Sequence, residues 1–314
     1  MADLSVDNVH TNQLLTNLSV QYYNEPSEFM APFIFPSVSV PKLSDTYWIY
    51  NSGDFLRDDV QLRGPGAMYP EVGYGGTTDT YRLVQYALAA DVPDEVRDNA
   101  DSPLAPDADA VAMLVQKFLI ASERRAAAVA TSTSVVTQNK TLSGTQKWSD
   151  YANSDPIADI WTARKTIRRA SLRKPNKIAM GEQVWEDSLV SHPAFIERIK
   201  YTERATPDRQ MTAMKDMFQV SDIRSSGVIY NAAAKGATSS FGDIWGDDFL
   251  IFYSAPSFSL RSVSFGFTLT WMSTGPVITT KRDDLRDRDV HRGKHTCQEK
   301  VISPEAAYLI KDVN

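Results

Sequence analysis

Few residues in this chain have types and spacing suited to chemistry. Two of its four histidines, His291 and His295, fall next to its one cysteine, Cys297. All three are metal-ligand types, but the spacing matches no standard site. A single cysteine supports neither an internal disulfide nor a thiolate zinc cluster. The densely charged stretch 281–295 reads instead as a solvated hairpin. The acids at 281–289 with a bound metal are the enzymatic alternative. Asp58-Asp59 and Asp247-Asp248 sit beside turns, and adjacent acids rarely face one site. Asp94, Glu95, Arg97, Asp98 and Asp101 read as a solvated connection rather than a cation site. The run from Arg63-Gly64-Pro65-Gly66 to Gly73-Tyr74-Gly75-Gly76 is rich enough in glycine to cradle a phosphate. It lacks the Lys-Ser/Thr ending and the helix that a phosphate loop opens, so a mobile hairpin loop is expected. There is no nucleophile elbow and no HExxH. No catalytic, cofactor-binding or metal residue is expected, and no cofactor.

The elements that carry these residues centre on one helix. Asp107 to Val129 contains no Gly or Pro and is dominated by strong helix formers. Pro106 suits the first turn and Asp107 is expected to cap it. Val111, Val115, Phe118, Ser122, Ala126 and Val129 make the expected buried stripe, with Met113, Leu114 and Ile120 off it. Before the helix, Leu14, Leu15 and Leu18 fit a short helical turn. Pro26, Pro32, Pro36 and Pro41 then impose extended backbone. The same stretch carries Tyr22, Tyr23, Phe29, Met30, Phe33, Ile34 and Phe35. So apolar an arm must be covered, by its own body or by a neighbouring copy. Tyr47-Trp48-Ile49-Tyr50 is β-prone, and Asn51-Ser52-Gly53-Asp54 signals a turn. Thr80 to Val92 reads as one strand.

Beyond the helix, Ser132 to Trp148 fits strand and turn. Asp155-Pro156 opens a second helix with Ile157, Ile160, Trp161 and Ile167 as its buried stripe. Arg164, Lys165, Arg168, Arg169, Arg173 and Lys174 crowd its C-terminal half, where cations suit the dipole. No aromatic residue interleaves with them, which favours a solvated or inter-subunit face over a nucleic-acid patch. Short strands at 177–180, 227–230 and 249–253 alternate with helices and fit an α/β subdomain. From Val263 to Trp271 apolar and small polar residues alternate with a period of two. Val301-Ile302 and Ala307 to Ile310 close the chain as strands.

The 314 residues allow one large domain or two ordinary ones, and 42% hydrophobic composition supplies a real core. A net charge of −6 argues against tight nucleic-acid binding, which needs a basic surface. The N-terminus lacks a basic start and an apolar core, so no signal peptide is read, and no apolar run is long enough to span a membrane. The profile is a mixed α/β protein with a long helix, a sticky arm, a projecting hairpin and no evident catalytic site. It suits a subunit that builds something.

Four strings, FMAPFIFPSVSVPKLSDTYWIYNSGDFLRDD (29–59), YGGTTDTYRLVQYALAADVPDEVRDNADSPL (74–104), PNKIAMGEQVWEDSLVSHPAFIERIKYT (175–202) and SVSFGFTLTW (262–271), occur in this order. Together they resemble the major capsid protein of tailed bacteriophages over nearly the whole chain. The resemblance implies an α+β fold in which a spine helix packs on an antiparallel sheet drawn from 81–92, 132–150 and 260–314. It implies an N-arm (1–42), an E-loop (43–80), a P-domain (81–155 and 259–314) and an A-domain (156–258). It implies self-assembly into hexamers and pentamers of an icosahedral shell around double-stranded DNA, held by weak non-specific contact. Virion localisation and assembly in the host cytoplasm follow, with portal and decoration proteins as partners. No N-terminal scaffolding segment is visible, which implies a separate scaffolding protein or none. Residues 43–80 contain no Lys, so the lysine crosslinking of some relatives is not expected. Phe29, Phe33, Phe35, Trp48, Tyr50, Phe55, Tyr69 and Tyr74 are the expected inter-subunit contacts. Encapsulin nanocompartments, which hold a cargo enzyme, are the alternative within the same fold.

Overall fold

The computed structural model describes residues 24–100, 104–199, 207–256, 263–273 and 275–314. Leu14, Leu15, Leu18, Tyr22, Tyr23 and Asp101 lie outside them. In chain order the elements begin with α1 (Ala31–Ile34), β1 (Ser37–Val40), β2 (Ser44–Tyr50), α2 (Ser52–Leu56), β3 (Gly76–Arg82), β4 (Val84–Pro93), α3 (Asp94–Asp98), α4 (Pro106–Ala130) and β5 (Asn139–Thr141). There follow α5 (Pro156–Ser171), β6 (Lys177–Gly181), a π-helical turn (Val184–Val190), α6 (Pro193–Ile199), α7 (Pro207–Phe218), β7 (Asp222–Ser226), β8 (Ile229–Asn231), β9 (Phe241–Asp243) and β10 (Phe249–Phe252). The chain closes with β11 (Gly266–Trp271), β12 (Val277–Asp283), β13 (Arg288–Val301) and β14 (Ala307–Lys311).

The long helix α4 has 25 residues, about 38 Å at 1.5 Å per residue. Its buried face differs from the expected stripe. Leu114, Phe118, Glu123, Ala126, Ala127 and Ala130 are buried, while Met113 and Val115 are exposed. A helix apolar over most of its circumference does not specify one face; its neighbours choose. The alanines of the last turns let the arm segment 30–35 approach closely, and together they form one core with Phe252, Phe265 and Leu309. Asp107 does not cap the helix either: Ala105 is the N-cap and no side chain bonds the free N–H groups. Asp107 turns instead to Arg97 and His291.

Two five-stranded sheets organise the body. The first is built on the 14-residue β13. One edge of β13 pairs antiparallel with β4; the other pairs with β12 and then β11, and β11 pairs parallel with β1. The expected strand 80–92 is therefore two: β3 pairs with β2 in the hairpin and β4 with β13, with Leu83 between them. The second sheet runs β5-β14-β10-β6-β7. The segment 132–150 thus contributes only β5, and to the second sheet rather than to the one under the long helix. β14 likewise returns beside β10, so this sheet draws strands from all three stretches 81–155, 156–258 and 259–314.

The alternation of β13 puts His291, Gly293, His295 and Cys297 on one side of the strand. That side meets α4, not solvent. His291 bonds Asp107, and Cys297 lies 3.5 Å from Arg125. At Gly293 an added Cβ would come within 2.3 Å of Cε2 of Phe118. Glycine here is what lets the helix settle on the sheet. Gly293→Ala is expected to cost about 1–3 kcal/mol by forcing helix and strand apart. A chemical-denaturation midpoint equal to that of the parent would contradict this packing.

Candidate functional site: the arm, the hairpin and the helix clasp

The eight expected contact residues fall into two groups. Phe29, Phe33 and Phe35 are buried by the chain itself. Phe35 stacks on Phe265 with centroids 5.4 Å apart, and Phe33 meets Phe252 edge-on at 5.9 Å. Lys177 and Arg224 also approach the Phe33 ring, at 4.5 and 4.6 Å. At Gly266 an added Cβ would stand 2.7 Å from Cε1 of Phe35. These three aromatics leave water within this chain's own core, without a neighbouring copy. The sequence reading weighed both ways of covering the arm; the parallel pairing of β1 with β11 decides it by laying residues 37–40 into the first sheet.

Trp48, Tyr50, Phe55, Tyr69 and Tyr74 are exposed. They sit on the projecting hairpin, where β2 and β3 pair from Ser44↔Arg82 to Tyr50↔Gly76. Beyond the strands, Asn51 accepts from the Gly53 N–H to start α2, and Asp54 accepts from the Gly75 N–H at 2.9 Å. That bond ties the helix to the returning chain and gathers the rings. Tyr50 lies 5.7 Å from Phe55 and 6.0 Å from Tyr74, and Phe55 lies 5.7 Å from Tyr74. Further out, Gly66 takes the left-handed conformation (φ +83°) after Pro65, and the Ala67 N–H donates to Gly64 O. This turn needs that glycine. The glycine-rich run is hence a hairpin tip. Leu56, Val60, Leu62, Met68 and Val72 are exposed there as well. So much contiguous apolar surface on one projection marks an interaction site.

Two groups of residues escaped the reading of the sequence. The first is a clasp around Glu123, fully buried on α4. Its carboxylate accepts from the N–H groups of Met30 and Ala31, both at 2.8 Å, and from Nε1 of Trp245 at 2.5 Å. The start of α1 and the loop after β9 are thus pinned to one side chain. Burial pushes the Glu123 carboxyl above the usual carboxylate range despite these three donors. The one acid of α4 beyond its first turn was the available signal, because burying it demands such partners. The second group is an ion-pair cluster. Arg97 holds Asp107 and Asp289, each at 2.7 Å, and Arg282 holds Asp94. The Arg97 guanidinium holds Asp107 below its usual range. The stretch expected to be a solvated connection is therefore the lock between α3, α4 and the β12–β13 hairpin.

The remaining candidates offer no catalytic pair. His192 Nε2 lies 3.2 Å from the Ser154 hydroxyl, but Ser154 donates its proton to Asp150 O, and His192 Nδ1 accepts from the Ala194 N–H. The imidazole therefore carries its hydrogen on Nε2 and donates to Ser154; it is not placed to take a proton from it. Desolvation lowers the His192 pKa from its ordinary 6.5. A histidine depressed on folding stabilises the fold above its unfolded pKa, and that stability is lost as the pH falls through the folded value. The chain should lose stability on acidification below about pH 6.5, and His192→Asn should flatten that dependence in unfolding curves taken along a pH series. Cys297 is buried, and burial pushes its thiol up to about 11, far from a reactive thiolate. Among the described residues no group of histidine, cysteine and acids is arranged to hold a metal, and no helix is long and apolar enough to cross a membrane.

No protein-family model matches the chain. It is 25% identical to the major capsid protein of Burkholderia phage BcepMu over 96% of both chains, and 26% identical to that of Pseudomonas phage JBD67 over 95% of both. Among solved structures, a phage-related protein from Bordetella bronchiseptica RB50 superposes with a TM-score of 0.70 at 25% identity, covering 92% of this chain and 94% of that one. The capsid of cyanophage P-SCSP1u shares the fold at 11% identity (TM-score 0.65; 97% and 93% covered), as does an encapsulin of Synechococcus elongatus more distantly (TM-score 0.52, 11% identity; 100% and 97% covered). The chain is thus similar over its full length to phage major capsid proteins and shares its fold with the subunits of phage shells.

Proposed function

We propose that copies of this chain tile an icosahedral shell, as hexamers and pentamers, around double-stranded DNA. The observation that carries the reading is the hairpin: five aromatics and a run of aliphatic side chains project from a well-packed body, and nothing among the described residues covers them. A second copy is the partner a self-assembling subunit always has at hand. Many such contacts, each modest, sum over a closed lattice. In this reading residues 43–80 are the E-loop reaching over a neighbour, and α4 is the spine helix. Residues 1–42 are the N-arm, anchored from residue 29 onward in its own body. Residues 156–258 are the A-domain, sharing its sheet with β5 and β14 of the P-domain. The protein acts without catalysis and belongs to the virion. Portal, scaffolding and decoration proteins would complete the particle, and assembly would take place in the host cytoplasm.

Electron microscopy of the chain expressed alone, and together with a candidate scaffolding protein from the same phage genome, tests this. Closed shells, tubes or free rings of five and six support it. A monomer under both conditions, at high concentration, would sink it. Shells isolated from infected cells should hold genome-length DNA; a packed enzyme in its place would select the encapsulin role.

A further inference from the structure

We propose that the exposed cations at the C-terminal end of α5 form the surface through which this subunit meets DNA phosphates, an inference that rests on the shell reading above. The stretch 160–181 carries seven cations (Arg164, Lys165, Arg168, Arg169, Arg173, Lys174 and Lys177) and no acid, in a chain with 39 acids and 33 bases. Arg164 and Lys177 turn into the body, where Arg164 bonds Gln219 and Lys177 bonds Phe33 O. The other five are exposed. Among the described residues none of the five has an acid within ion-pair distance, whereas Lys140, Lys215, Arg97, Arg282 and Arg288 are all paired.

The geometry gathers the five on one patch. Lys165, Arg168 and Arg169 are spaced i, i+3, i+4 and share a helix face, spanning about 6 Å along the axis. The opposite face, with Ile157, Ile160, Ala163 and Ile167, is sealed in the core. The left-handed Leu172 (φ 61°) ends the helix and leads at once to Arg173 and Lys174. The helix dipole accounts for Arg168 and Arg169 alone, because its effect fades beyond the last turn. Three more like charges, Lys165, Arg173 and Lys174, stand beside them and make the surface complementary to a polyanion. Leu172 is the only large apolar side chain exposed among the five. A protein partner wants a broad apolar centre to its interface, and one leucine ringed by five cations is not that. No aromatic side chain stands ready to stack on bases, so contact would be with phosphates and independent of sequence. A handful of cations per subunit suits loose contact with a genome that must later leave.

The test uses the full-length chain from the low-mass fraction of size exclusion, with a short labelled DNA duplex as probe. Affinity is read by anisotropy from about 50 to 200 mM NaCl, the range where counterion release is measurable. Replacing Arg168, Arg169 and Arg173 with Gln should reduce the slope of log affinity against log salt by about 2.7, at about 0.9 per phosphate contact. Lys165→Gln with Lys174→Gln should reduce it by about 1.8 on the same basis. A control triple on the first sheet, Lys281→Gln, Arg292→Gln and Lys294→Gln, should leave it unchanged. Equal slopes for parent and α5 variants would overturn the proposal. So would α5 variants that bind DNA normally but no longer form shells, which would make the patch a contact between copies. Failure of the parent to form shells would strike the shell reading, with the slopes still readable.

Discussion

Glu123→Ala is expected to destabilise the chain by about 3–5 kcal/mol. The cost comes from what the substitution leaves behind. Three buried donors, the N–H groups of Met30 and Ala31 and the indole of Trp245, lose their acceptor at once. Each unsatisfied buried donor costs about 1–3 kcal/mol, less whatever water or local relaxation recovers. The conservative variant separates this account from a simple loss of volume. In Glu123→Gln the amide oxygen can replace Oε1 and keep the bonds to Met30 and Trp245, while the amide nitrogen then faces the Ala31 N–H. One clash in place of three losses predicts an intermediate cost, about 1–3 kcal/mol. Denaturant unfolding gives the order parent, Gln, Ala. Limited proteolysis gives a local readout, since the arm around residues 29–35 should be cut sooner in both variants. A Gln variant as unstable as the Ala variant would count against the clasp.

Phe35→Ala and Trp48→Ala should fail in opposite ways. Phe35 is fully buried against Phe265, so its loss opens a cavity in the body, and about 3–5 kcal/mol of chain stability should go with it. Trp48 is 52% exposed on the hairpin. Its loss should change chain stability by no more than about 0.5 kcal/mol. Shell formation should suffer instead: a central aromatic contact is worth about 2 kcal/mol or more at an interface. That corresponds to a roughly 30-fold higher subunit concentration for assembly. Thermal melts of the unassembled chain and light-scattering assembly titrations separate the two effects. If Trp48→Ala, and then a triple variant with Phe55→Ala and Tyr74→Ala, assembled at the parental concentration, the hairpin would not be a contact surface.

These predictions differ because the same residue types meet different fates. Phe33 and Trp48 look alike in the sequence: both are aromatic and both lie in strongly apolar stretches, although the prolines expected to keep the first one extended instead flank and enter the short helix α1. What separates them is distant. Residues 249–252 and 265–269 arrive more than 200 positions later to cover the first, and nothing described in the chain arrives to cover the second. The arm's need for cover was legible, because exposed aromatic surface is costly. The identity of the cover was not. The exposed hairpin was better marked: the β-prone run 47–50 and the glycines of the tip are local signals. Its return strand β3 was nonetheless hidden in a stretch that reads as one strand from 80 to 92, and the turn at 51–54 is the start of α2.

By itself the sequence determined the long uninterrupted helix, the glycine turn of the hairpin and the second helix opened by Asp155-Pro156. These rest on local causes: backbone freedom at glycine and proline, capping at Asp155 and periodicity within one element. Only the tertiary structure decided which face of α4 is buried, why Glu123 lies in it, and that His291 and Cys297 look at the helix rather than at water. It also decided that β14 leaves the strands before it to join β10. Each of those depends on partners far apart in the chain. A buried charge or a strand edge is satisfied by whichever group the fold brings near, and the local pattern carries no record of that group.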